Sequence, residues 1–135
     1  MSTSTTGAND ALADAMITEL ISGGATVHLI GGGATMSYTD GATEISTDSD
    51  AEVAVAEADW TISVPADFSG TATLENDNEL DFGSPSIGTV DQIVIQNDSN
   101  TDYFVLADEP NDPDLTGENV TIAAGTTMYE LGNPT

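Results

Sequence analysis

The chain contains no lysine, no arginine and no cysteine, and each absence removes a class of function. Ordinary usage would put on the order of 15 cationic side chains in a chain of this size. Without them no groove or channel can neutralise a phosphate backbone, so nucleic acid is excluded as a partner. Anionic lipid surfaces are excluded on the same ground, as are nucleotide sites that hold their phosphates with Lys or Arg. The missing cysteines remove disulfides, thiol nucleophiles and zinc sites of the cysteine type. No run of 18 apolar residues occurs, so membrane insertion is not expected. The opening Met1-Ser2-Thr3-Ser4-Thr5-Thr6-Gly7 has neither a basic nor an apolar signal region, and no export signal is expected.

Acid is abundant. Aspartate and glutamate number 24 in 135 residues, and with the single histidine, His28, neutral the net charge is −24. Like-charge repulsion of this size opposes a compact state unless salt screens it, and the screening length falls from about 10 Å at 0.1 M to about 3 Å at 1 M. The composition therefore predicts a chain built for molar salt. Weakly bound Na⁺, K⁺, Mg²⁺ or Ca²⁺ would suit such a surface, but no dedicated cofactor is implied.

The length predicts one domain. Residues 1–9 are small and polar and read as an arm that neighbouring subunits would hold. Residues 10–135 read as a single β domain with a leading helix over about 10–22. Leu12, Met16 and Leu20 recur every four residues, with Ile17 and Ile21 beside them, which predicts a buried stripe and makes Leu12, Met16 and Leu20 the candidate oligomer contacts. Gly23-Gly24 supplies the stop. Everything after Gly24 reads as strand and turn, with strands expected at 26–30, 35–38, 51–56, 60–64, 71–74, 79–82, 90–96, 102–106, 119–123 and 127–131. Many short strands after one helix predict an antiparallel β-sandwich or jelly-roll-like domain.

No constellation of catalytic type emerges. His28 stands alone, and without cysteine or a second histidine it cannot assemble an ordinary zinc site. A Ser-His-Asp arrangement lacks any Gly-x-Ser-x-Gly elbow. Paired carboxylates are too common here to mark a glycosidase. The acidic loop 108–114 imitates part of a calcium loop through Asp112, Asp114 and Gly117, but the closing position falls on Ala123, so it reads as a solvated loop. Asn97-Asp98-Ser99 and Asn119-Val120-Thr121 match the glycosylation pattern fortuitously.

In order along the chain stand a helix at 11–21 leading into a strand at 26–30, then Ala42-Thr43-Glu44-Ile45-Ser46. Asn76 before Leu80-Asp81-Phe82, Gly88-Thr89-Val90 opening a strand, and Ala123-Ala124-Gly125 before the last strand complete the series. In this order the chain resembles a family of small tailed-phage virion proteins, often labelled tail-fibre or minor structural proteins. The resemblance implies a β-sandwich virion component, and the acidic composition makes its source a halophilic tailed virus of an archaeal host. The expected role is a non-enzymatic, oligomeric capsid decoration, turret or fibre-base subunit that contacts other virion proteins and, in a tail position, the host cell surface. A receptor- or glycan-binding tail module is the alternative, and a glycan hydrolase the weaker one.

Overall fold

The computed structural model describes residues 10–39, 41–64, 71–87, 89–108 and 117–132. The arm 1–9 and residues 109–114 of the acidic loop lie outside them. Helix α1 (Asp10–Ile21) leads into β1 (Ala25–Gly31), and a second helix, α2 (Ala42–Asp48), precedes β2 (Ser49–Val55). After one 3₁₀ turn at Glu57–Asp59 come β3 (Trp60–Ser63), β4 (Thr71–Asn76), β5 (Leu80–Gly83), β6 (Val90–Asn97), β7 (Phe104–Asp108), β8 (Val120–Ile122) and β9 (Thr127–Gly132). The strands form sheet A, ordered β2-β1-β6-β7, sheet B, ordered β3-β4-β9, and the ribbon β5-β8. Every pairing is antiparallel. The fold is thus mainly β and sandwich-like, with the helix near the N-terminus where the sequence placed it.

One core lies between sheets A and B. Ala25, Val27, Val55 and Ile95 from sheet A meet Trp60, Ala72, Leu74 and Met128 from sheet B, and Ala13, Ile17, Leu20 and Ile21 of α1 close one side. The helix is oriented by its own pitch. An α-helix turns about 100° per residue, so an every-fourth-residue row drifts about 40° at each step. Ile17 is 1% exposed and marks the inward direction; Leu20 is buried beside it, while Leu12 and Met16 trail off the inward sector and are 53% and 49% exposed. Of the expected stripe Leu12–Met16–Leu20, this fold therefore buries only Leu20. The inward row is Ala13–Ile17–Leu20–Ile21.

The end of α1 shows how a chain without cations finishes a helix. Lys or Arg commonly satisfies the last carbonyls, and here the last turn has no basic residue. The Asn97 amide replaces them: its Nδ2 donates to Glu19 O at 3.2 Å, Leu20 O at 2.8 Å and Ser22 O at 2.9 Å. Its Oδ1 accepts from the backbone N–H of Ser99 and Asn100. Gly23 and Gly24, at φ 81° and 102°, then turn the chain into β1 through a backbone conformation that other residues rarely adopt.

Sheet A is covered on both faces. Ala25 and Val27 point to the main core and Leu29, on the same face, packs with Ile87 and Val90, whereas Thr26, His28 and Ile30 point to the opposite face, along with Gln92, Val94 and Gln96 of β6. On that second face Ile30 and Val94 pack with Met36 and with Ile45 of α2. Two expectations fail here. Residues 42–48 are helical although nothing in the pattern announces it, because a two-turn helix with a single buried anchor, Ile45, has no repeat to detect. The expected strand at 35–38 is absent because Met36 is held by a side chain: its N–H donates to Gln92 Oε1 at 2.8 Å and its carbonyl accepts from Gln92 Nε2 at 3.3 Å. One amide side chain thereby takes the place of a neighbouring strand.

Candidate functional site

Two grooves stand out, and the chain builds them differently. The first runs between α1 and the start of β7 and is lined by Met16, Glu19, Leu20, Asp102, Tyr103, Phe104 and Val105, with a volume of about 360 Å³. Its floor is apolar. Tyr103 is 45% exposed beside it, and Leu12 lies one turn before Met16 on the same helix. Of the candidate contacts, Met16 and Leu20 therefore line the groove, whereas Leu12 is exposed outside its lining. Leu12, Met16, Tyr103 and Tyr38 are the exposed large hydrophobics among the described residues, and the first three belong to this one region. Tyr103 and Phe104 were not singled out in the sequence, where they read only as strand residues; β7's place at the edge of sheet A is what brings them to the helix.

The second groove, about 400 Å³, opens on the outer face of sheet A under α2. Its lining is His28, Ala42, Thr43, Ile45, Ser46, Glu52, Gln96 and Thr101. The register explains the convergence, because β1 pairs His28 with Glu52 of β2 and with Val94 of β6, so His28 and Glu52 lie side by side on one face. Nδ1 of His28 is 3.3 Å from Glu52 Oε2. The imidazole is buried, and burial pushes its pKa below the ordinary value, opposed in part by Glu52, by a hydrogen bond to the Gln96 side chain and by Asp98. Ser46 lines the same groove, yet its hydroxyl donates to Thr43 O at 3.0 Å and is not directed as a nucleophile toward the imidazole. His28 therefore has a buried, hydrogen-bonded place beneath α2.

Among the described residues no group of three or more His, Asp or Glu side chains is placed to hold a metal ion. No helix of the described residues is long and apolar enough to cross a membrane. The glycosylation pattern at Asn97 falls on a side chain 3% exposed, whose amide is fully engaged at the end of α1. No protein-family model matches the chain, and no curated protein or solved structure matches it.

Proposed function

We propose that the protein is a non-enzymatic structural subunit of a virion adapted to concentrated salt, and that it joins copies of itself through the outward face of α1. The observation that carries self-association is an apolar groove lined by Met16 and Tyr103, with the exposed Leu12 one helical turn from Met16, on a chain of charge −24. A surface without Lys or Arg cannot hold copies together by ordinary salt bridges, so apolar contact is the available means. Molar salt strengthens such contact by screening repulsion and favouring apolar burial. The order of motifs shared with small tailed-phage virion proteins supports the virion assignment, and the acidity supports a halophilic tailed virus. Within the particle the subunit is a capsid decoration, a turret or a fibre-base component, assembled in the host cytoplasm with other virion proteins.

Light scattering of the full chain in molar salt tests the self-association. The expected result is an oligomer whose mass falls to the monomer in Leu12→Asp/Met16→Asp, with association at least about 10-fold weaker, since a charge placed in a dry apolar contact costs well over 1.4 kcal/mol. Both residues are exposed in the single subunit, so the variant keeps its fold. A wild-type chain that stays monomeric at high micromolar concentration overturns the reading for the isolated protein.

A further inference from the structure

The groove beneath α2 has an uneven supply of hydrogen-bonding groups. Several of its donors are already used within the protein. Gln96 Nε2 donates to Thr101 O at 2.9 Å, and Ser46 Oγ donates to Thr43 O at 3.0 Å. His28 Nδ1 is directed at Glu52 Oε2. What faces the groove besides these bonds is mainly acceptor capacity: the lone pairs of Ser46 Oγ, the hydroxyl oxygens of Thr43 and Thr101, and a Glu52 carboxylate whose side chain is 65% exposed. An ionised carboxylate accepts at several positions and only one oxygen lies against the imidazole.

We propose that this groove is a socket for a guanidinium group, the side chain of an arginine carried by a partner protein. Three considerations select that ligand. The chain is strongly anionic, which disfavours anions at any of its surfaces. A ligand that satisfies acceptors without supplying more of them must be rich in donors, and guanidinium has five N–H donors and no acceptor. Its planar fork engages a carboxylate through two parallel bonds, which an ammonium cannot do. At about 400 Å³ the groove lies within the range of small-ligand sites and is ample for one side chain, with the Ala42 side chain available to its methylene stem. The chain cannot supply this group itself, having no arginine. The inference concerns a different surface from the α1 contact and stands whether or not the subunits self-associate.

The single histidine provides the readout, because its ring protons give one set of NMR resonances in the full-length protein. In molar salt, where diffuse attraction to an acidic surface is screened, titration with arginine amide is expected to shift the His28 resonances to saturation, with lysine amide binding at least several-fold more weakly. Norleucine amide, of similar apolar length but lacking the charged head, should leave them unmoved. Glu52→Gln should remove the arginine response, whereas Glu130→Gln, an exposed acid outside the groove, should retain it. Glu52 is exposed enough for its amide variant to fold, and an unchanged dispersion of the other resonances verifies this. Several outcomes overturn the proposal: no shift with arginine amide, an equal response to norleucine amide, a response that survives Glu52→Gln, or a His28 shift produced by exchanging Na⁺ for K⁺ alone, which would make the groove an inorganic cation site.

Discussion

The two faces of sheet A share the same strands but are assembled from different materials. The inner face is apolar throughout its centre: Val27 and Ile95 are fully buried against α1 and sheet B. The outer face alternates apolar anchors with amides and the imidazole, and its cover is held by Gln92 reaching across to Met36 as well as by the small buried cluster of Ile30, Val94, Met36 and Ile45. The inner face draws on the hydrophobic effect, which is tolerant of geometry, while the outer face depends on a few directional bonds whose loss leaves buried polar groups unpaired. The outer face is also where the groove lined by His28 and Glu52 opens.

Salt is the strongest perturbation, and it acts on both faces together. No described carboxylate is buried, so these acids lie outside the packed clusters and their repulsion is borne by the fold as a whole. With no Lys or Arg to offset it, dialysis from molar salt to about 0.1 M at neutral pH is expected to unfold the domain, which circular dichroism would follow. A melting temperature independent of salt would show that the packing of the two faces outweighs the repulsion unaided.

Single substitutions separate the faces. Ile95→Ala empties a fully buried position on the inner face, and in molar salt it should cost about 2–5 kcal/mol by denaturant unfolding. Gln92→Ala on the outer face removes both bonds to Met36 and strands that residue's backbone, for about 1–3 kcal/mol. The second change should also open α2 and residues 34–37 locally, read as faster amide exchange at Met36 with β1 still protected. Equal exchange at both places would mean that the two faces unfold as one unit.

How much of this contrast the sequence carries can be judged residue by residue. The strands at β1, β3, β6 and β9 announce themselves by alternation or by unbroken apolar runs, and α1 by its spacing and its Gly23-Gly24 stop. Gln92, Gln96, Asn76 and Asn97 announce nothing, because a buried amide has no periodicity of its own; Gln92, Asn76 and Asn97 acquire their roles from backbone groups far away in the chain, and Gln96 from the turn that follows its strand. Asn76 illustrates this, donating to Asn78 O and to Ala123 O, 47 residues on, while accepting from Thr126 N–H. The groove under α2 was illegible for the same reason: α2 itself shows one anchor, and the meeting of His28 with Glu52 follows only from the register of β1 on β2. The α1 groove was half legible. Spacing identified Leu12, Met16 and Leu20 but not which way each would face, because that depends on how Ile17 and Ala13 dock against the sheets.

The smallest expected effect tests whether the outer face is held by polar geometry even at its buried imidazole. Burial keeps the His28 imidazole below its ordinary value of about 6.5, so as pH falls the unfolded chain takes up the proton before the folded chain does. Neutral His28 thus contributes stability that is complete above about pH 6.5 and declines as pH drops from there toward the folded value. Side-chain carboxyls ordinarily titrate near pH 4, so a comparison of about pH 7.5 with about pH 5.5 isolates the imidazole. In molar salt the wild type should melt lower at the acid value, and His28→Gln, which keeps a polar side chain in the groove but does not titrate, should lose most of that difference. Opposite behaviour, with the wild type more stable at the acid value, would mean that the Glu52, Gln96 and Asp98 contacts to the imidazolium outweigh its burial. The outer face would then be organised around a charge, as the inner face is organised around its absence.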